Sequence, residues 1–337
     1  MSEFDFAIIG QGIAGTTLAW HLFWQGARCV VVDDQNPNAS SRVAGGLITP
    51  ITGMRLVPSW RFDDFWPVAV EFYRKVEEAT GEEFLSVDPS VRVFATNEER
   101  DLYEQKREEL SERTTELSAA TTNGIRHDLG GMLMTSAARV DVPAFLDASR
   151  QYLESQIEFV DDRIDIANEI ELSCNSAEVP RLSLRARQLV LCQGFQSSPN
   201  PWFADKQFDA AKGEMITVEI PGLNEHRVVH KGIWLAPLGD HKFLVGATYD
   251  RDNLDHTPTS KGRAFLYERL EELVALPFRV INQAAAVRPI LMDKRPATEF
   301  HHEFPQLAYF NGLGSKGCLQ APLISREFAA QLVDRLQ

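Results

Sequence analysis

An α/β fold, α+β when the whole chain is counted, follows from three features of the sequence. A short apolar run at residues 4–9 leads into the turn Gly10-Gln11-Gly12-Ile13-Ala14-Gly15 and then into an apolar helical stretch, 14–25. A β-branched run at 28–33 follows and ends in Asp33, completing a βαβ unit. Further on, residues 214–249 read as one strand after another, the pattern of a sheet domain rather than of more βαβ repeats.

The remaining elements are placed in chain order. Helices are predicted at 64–80 and 97–118, the second so densely charged that it reads as a solvated face. From Met132 the pattern becomes mixed, with a helix at 143–155 and strands at 157–164 and 182–192. A charged amphipathic helix at 260–275 precedes more strand, and residues 308–311, a glycine turn and a helix at 319–335 close the chain. At 337 residues the sequence exceeds what one hydrophobic core usually serves. Two interleaved domains are expected: a nucleotide-binding one from 1–60, 136–205 and 290–337, and a sheet-built substrate domain from 61–135 and 206–289.

Each glycine of the first turn has a steric purpose. Gly10 permits the tight turn after the strand, Gly12 lets a pyrophosphate reach the backbone, and Gly15 lets the helix pack closely on the sheet. The helix beginning beside Ile13 and Ala14 aims unpaired N–H groups and the positive end of its dipole at the phosphates, so no lysine is required in the loop. Asp33 stands at about the ~20-residue offset where a carboxylate accepts ribose hydroxyls, with Asp34 as the neighbouring alternative. This is a Rossmann-like dinucleotide site. It does not by itself separate FAD from NAD, while an acid at Asp33 would repel the 2′-phosphate of NADP.

Composition narrows the partners. A net charge of -14 is the wrong sign for a broad nucleic-acid or anionic-membrane surface, so a small-molecule substrate is expected and no nucleic acid. Cys29, Cys174, Cys192 and Cys318 lie far apart without a CxxC pair or neighbouring histidines, which points to neither a metal site nor a disulfide framework. The apolar stretch near the start is interrupted by polar residues and preceded by acids, unlike a signal peptide or a membrane span. A cytoplasmic protein is expected.

Several later segments carry a resemblance. The stretch 38–50, with Ser41, Arg42, Ala44, Gly45 and Gly46, resembles the segment that follows the second strand in the D-amino-acid oxidase and glycine oxidase family of flavoproteins. Paired glycines there suit the close approach of a flat ring. In the same order come Arg187–Ser197 with Gly194, the Lys212-Gly213-Glu214 triplet, and the hairpin Trp234-Leu235-Ala236-Pro237 with Val245-Gly246-Ala247-Thr248. Arg288-Pro289 with Asp293 and Pro296 follows, and then Asn311-Gly312-Leu313-Gly314-Ser315-Lys316-Gly317-Cys318. The last segment is also similar to the FAD-dependent half of bifunctional enzymes that mature 5-methylaminomethyl-2-thiouridine in tRNA.

The resemblance implies a noncovalently bound FAD and assigns site residues. Gly312, Gly314, Ser315, Lys316 and Gly317 would close the flavin site, and Ile164, at the end of the strand predicted over 157–164, is grouped with the cofactor-binding positions. Lys316 and the positive end of the following helix would face the flavin N1 and C2 carbonyl, where negative charge develops on reduction. Arg288 would grip a substrate carboxylate with its planar fork. Trp234 falls where these oxidases often place a tyrosine over the substrate, a departure that offers an apolar wall and one N–H instead of a phenol.

The activity implied is oxidation of the C–N bond of an amino acid or secondary amine by hydride transfer to flavin. Three alternatives stay open: a 2-hydroxy-acid dehydrogenase, which needs a base, usually histidine; a tRNA wobble-uridine side-chain oxidoreductase; and a non-catalytic flavoprotein. His230, His241, His301 and His302 are available as acids or bases, and the cluster Trp60-Arg61-Phe62 with Arg55 reads equally as flavin contact or as packing.

Overall fold

The computed structural model describes residues 2–118 and 124–336. Two large sheets divide the chain. The first is built on parallel strands in the order Glu158–Asp161, Cys29–Asp33, Ser2–Ile9, Leu184–Leu191. The far edge of Leu184–Leu191 is shared: its first half pairs antiparallel with Ala177–Val179, its second half parallel with Leu307–Asn311. Ile9 lies opposite both Val32 and Leu191, and Leu191 opposite Tyr309, so the carboxyl ends of four strands finish level.

These strands are apolar on both faces because both faces are covered. Phe6, Ile8, Val31, Val190 and Phe310 pack beneath the helices Ile13–Trp24, Phe62–Thr80, Val142–Leu153 and Gly317–Asp334. The alternate residues Ala7, Ile9, Val32, Leu191 and Tyr309 join Ile164, Val179 and Phe203 on the other side. The first helix is buried along most of its length; Trp20 stacks on Tyr152 at 5.1 Å and donates its indole N–H to Ser149 at 2.9 Å.

The second sheet runs in the order Arg279–Arg288, Ala211–Glu219, Lys242–Gly246, Ile233–Gly239, Val229–Lys231, Ser90–Val93, Gly131–Met134, Thr114–Glu116. Neighbours are antiparallel except for Val229–Lys231 beside Ser90–Val93. Ile216, Val218, Leu235 and Val245 face the helix Ser260–Leu273, whose Leu266, Leu270 and Leu273 complete that core. The opposite pleat sends Gly213, Met215 and Trp234 toward the first sheet.

Most elements stand within a few residues of their sequence expectation; one helix does not. The stretch expected at 97–118 ends as a helix at Leu110, and Thr114–Glu116 instead forms an edge strand against Gly131–Met134. Its β-branched threonines suit a strand, and Thr114 Oγ1 donates to the Leu110 carbonyl at 3.0 Å where the helix stops. Among the described residues no helix is long and apolar enough to cross a membrane, and no three His, Cys, Asp or Glu side chains are grouped to hold a metal ion.

Candidate active site

A cavity of about 460 Å³ opens at the level carboxyl ends of the parallel strands and continues to the second sheet. Open α/β sheets bind ligands at this end. At the nucleotide end it is lined by Gly10, Gly12, Ile13, Ala14, Asp33, Asp34 and Ser41. Gly10 has φ +104°, a left-handed conformation that admits glycine at little cost, and a side-chain carbon there would lie 2.8 Å from the Cys192 carbonyl oxygen. Gly15 does not line the cavity; a side-chain carbon on it would overlap the Gly10 carbonyl, so it sets the approach of helix to turn.

Asp33 is fixed by its neighbours. Its Oδ2 accepts from the Gln11 N–H at 2.6 Å and its Oδ1 from the Gln35 N–H at 2.7 Å. Burial raises its pKa, and those two bonds oppose the rise. Ser41 Oγ accepts from the Ile13 N–H at 3.0 Å, placing a hydroxyl over the helix N-terminus. Arg42 points elsewhere: it pairs with Asp147 on the helix Val142–Leu153 and is not a cavity residue. Ile164 is packed in the core behind the sheet. The backbone floor, the carboxylate and the helix terminus together fit a ribose and a pyrophosphate.

The middle of the cavity is lined by Ala44, Gly45, Gly46, Gly194, Gly314, Ser315 and Gly317. The closing turn is tied to the sheets from two sides. Asn311 Nδ2 donates to the Gly194 carbonyl at 2.9 Å, and the Gly314 N–H to the Pro289 carbonyl at 3.2 Å. Gly312 lies behind the lining, against Leu291. Lys316 precedes the helix Gly317–Asp334 and is also outside the cavity lining. The residue is partly exposed, yet its ammonium is enclosed; its side-chain contact is Thr49 Oγ1 at 3.5 Å, and no carboxylate pairs with it among the described residues. Burial pushes its pKa down to about 8. Nearby His230 has an enclosed, unpartnered Nε2 and is pushed down to about 3 by burial, with Arg92 and Lys316 adding to the effect.

At the far end the second sheet supplies Met215, Trp234, Ala286 and Arg288. The indole of Trp234 is wedged between two backbones: a side-chain carbon on Gly45 would stand 2.7 Å from its Cη2, and one on Gly246 would overlap its Cζ2. Arg288 is half-buried. Its Nη1 and Nη2 both donate to the Thr248 carbonyl, at 3.2 and 3.3 Å, and it lies over the Tyr249 ring at 5.6 Å. No carboxylate pairs with it among the described residues; Asp293 instead accepts from the Arg295 N–H at 3.0 Å. Desolvation lowers its pKa from the usual arginine value.

The other sequence candidates lie apart from the cavity. Trp60 packs on Phe65 and is covered by Arg295, while Arg61 pairs with Asp64 at 2.7 Å, so that cluster is packing. His301 accepts from the Glu303 and Phe304 N–H groups, and His230, His241 and His302 do not line the cavity. The histidine that does is His256, together with Leu254 from the same loop. The sequence offered no motif for it.

Comparison with known proteins agrees with this geometry. Glycine oxidase from Bacillus cereus superposes with a TM-score of 0.85 at 17% identity, over 99% of this chain and 96% of that one. Glycine oxidase from Geobacillus kaustophilus gives 0.83 at 18%, over 99% and 95%. Iminodiacetate oxidase from Chelativorans sp. BNC1 gives 0.81 at 19%, over 98% and 95%. A family model described as FAD dependent oxidoreductase, DAO, matches residues 5–331, nearly the whole chain, and the chain therefore belongs to the DAO family of FAD-dependent oxidoreductases.

Proposed function

We propose that the chain oxidises the C–N bond of a small amino acid or secondary amine whose carboxylate is held by Arg288. The observation that carries this reading is a half-buried guanidinium on the cavity wall that, among the described residues, hydrogen-bonds to the Thr248 carbonyl and has no carboxylate partner. Taking a charge out of water is unfavourable unless an opposite charge meets it. A planar fork bidentate to a carboxylate supplies that charge and fixes the substrate's orientation. The glycine oxidases and iminodiacetate oxidase named above support a substrate of this class.

In this reading FAD is held noncovalently, its adenosine and pyrophosphate by Gly10, Gly12, Ile13, Ala14, Asp33 and Ser41, and its ring beside Gly45, Gly46, Gly314 and Gly317. When bound, the flavin supplies the hydride acceptor. The protein contributes position and electrostatics: Arg288 orients the substrate, Trp234 forms an apolar wall, and the residues around them exclude water. Lys316 would place positive charge behind the ring. Burial lifts the Cys318 thiol to about 12, so it stays protonated and is a poor nucleophile for covalent attachment. We also read 1–60, 136–205 and 290–337 as the FAD domain and the rest as the substrate domain, following the membership of the two sheets.

The test is anaerobic. The purified flavoprotein is mixed with amino acids, secondary amines and 2-hydroxy acids while the visible absorbance is followed. Bleaching by a carboxylate-bearing amine, and a much weaker response in Arg288→Met, is the expected result. Bleaching by hydroxy acids alone would overturn the reading.

A further inference from the structure

Arg288 lines the cavity, and the side chain that lies over it, Tyr249, does not. The guanidinium reaches across Gly213 of the neighbouring strand, and both of its Nη atoms donate to the Thr248 carbonyl. The next residue, Tyr249, sets its ring 5.6 Å from the same guanidinium. Arg251 places a second guanidinium 5.5 Å from that ring. Tyr249 is 56% exposed, so burial in a core does not account for where its ring stands; the ring contacts that fix it are with these two cations.

The backbone under the ring is fastened independently of the side chain. Thr248 Oγ1 accepts from the Glu214 N–H at 2.8 Å, and the Thr248 N–H donates to the Glu214 carbonyl at 3.2 Å. On the other side of Tyr249, Asp250 and Lys212 exchange backbone hydrogen bonds of 2.7 and 3.0 Å. Arg251 is tied in turn: it pairs with Asp209 at 3.0 Å, whose other oxygen takes Lys294 at 2.7 Å. The Asp209 N–H donates to the Ile290 carbonyl at 2.7 Å, and the Ile290 N–H to the Arg288 carbonyl at 2.9 Å. The chain of contacts that leaves Arg288 through Tyr249 thus returns to it.

The one acid in that chain of contacts is committed to Arg251 and Lys294, and no carboxylate pairs with Arg288 among the described residues. What supports Arg288 instead is a carbonyl dipole and the negative face of a ring. Both favour a guanidinium held partly out of water, and neither cancels its charge. A carboxylate in the place of the ring would hold Arg288 as firmly but would compete with the substrate for it. We propose that Tyr249 is a positioning residue that supports Arg288 through its ring face and so leaves the full charge of the guanidinium to the substrate's carboxylate. This rests on the reading of Arg288 given above.

The experiment titrates the FAD-loaded enzyme with acetate, a carboxylate without an amine, read by its perturbation of flavin absorbance. Tyr249→Leu is expected to weaken acetate binding about three- to tenfold, the worth of a cation–π contact, with the flavin spectrum and melting temperature of the free enzyme unchanged. Tyr249→Phe, which keeps the ring, binds as wild type does. Tyr249→Glu, which puts a carboxylate in the ring's place, binds acetate more weakly than Tyr249→Leu. In an Arg288→Met background Tyr249→Leu has no further effect. Wild-type affinity in Tyr249→Leu overturns the proposal, and so does an equal loss in Tyr249→Phe, which assigns the effect to the hydroxyl. Further weakening on top of Arg288→Met also overturns it, by giving Tyr249 a route to the ligand other than Arg288. Where Tyr249→Leu does not fold, Tyr249→Glu decides against Tyr249→Phe, and equal acetate binding by those two overturns the proposal. Acetate binding by Arg288→Met equal to that of wild type overturns the reading of Arg288 itself, and the role of Tyr249 falls with it.

Discussion

A side-chain carbon on Gly213 would lie 2.7 Å from Nη1 of Arg288 and overlap Nη2. Gly213 stands opposite Ala286 across the strand pair Ala211–Glu219 and Arg279–Arg288, so the guanidinium folds back over the position that lacks a side chain. The space Arg288 occupies is thus written two strand positions away from Arg288 itself. Gly213→Ala is expected to displace the fork and raise the KM for a carboxylate-bearing substrate about ten- to hundredfold, the range of a lost charge-assisted contact. Steady-state kinetics beside Arg288→Lys checks it: a lysine keeps the charge but not the two parallel bonds, and should show a similar loss. An unchanged KM in Gly213→Ala would separate Arg288 from substrate binding.

Trp234 has the same dependence on a missing side chain, from a distant part of the sequence. Gly45→Ala places a carbon 2.7 Å from Cη2 and 2.9 Å from Cζ2 of the indole, an overpacking expected to cost about 1–3 kcal/mol. Trp234→Phe removes the atoms in conflict. The double variant should therefore recover most of the stability and flavin retention that Gly45→Ala loses, a non-additive cycle readable by thermal unfolding of the loaded protein. Additive losses would mean that the two residues do not meet.

The glycines of the first turn should fail in different ways. A carbon on Gly15 meets the Gly10 carbonyl, which is backbone and cannot yield, whereas one on Gly12 stands 3.2 Å from Ser41 Oγ, a hydroxyl that can rotate. Gly15→Ala is expected to destabilise the apoprotein by about 2 kcal/mol or more. Gly12→Ala should leave the melting temperature of the apoprotein nearly unchanged and weaken FAD retention, measured by dialysis and absorbance. Equal losses of stability in both would contradict the separation.

What the sequence disclosed divides along physical lines. Residues 4–9 and 28–33 announce themselves because a strand buried on both faces is a run of apolar residues, and the turn between them because only glycine fits its contacts. Arg288, Trp234 and the glycine-rich close of the site were legible through a resemblance in segment order rather than through periodicity. The edge strand Thr114–Glu116 was missed because its state is decided by pairing with Gly131–Met134, a long-range contact that local helix propensity does not record. His256 was missed for a related reason. It reaches the cavity through a loop fastened by Lys212 and Glu214, and nothing in the local sequence around 256 tells that those two side chains are buried and turned toward it. Arg42 was grouped with the cofactor residues by its neighbours in sequence, but a carboxylate on the helix Val142–Leu153 claims it.

Lys316 gives a pH dependence of definite sign. Its folded pKa of about 8 lies below the 10.5 of a freely solvated lysine because burial disfavours the ammonium. Below pH 8 both the folded and the unfolded chain carry the proton, and the folded state bears the full cost of the buried charge. Between about pH 8 and 10.5 the unfolded chain holds more protons than the folded one, so stability rises with pH across that window. Lys316→Met removes both the cost and the slope: the apoprotein should gain up to about 3 kcal/mol at pH 7 and lose the rising limb above pH 8, read from denaturant midpoints across pH. The loaded enzyme should respond in the opposite direction at the ring. If Lys316 holds its charge near the flavin as proposed, removing it makes electron uptake less favourable, so the midpoint potential of Lys316→Met should fall below that of wild type at pH 7. A gain in apoprotein stability with an unchanged potential would place the ammonium too far from the ring to act on it.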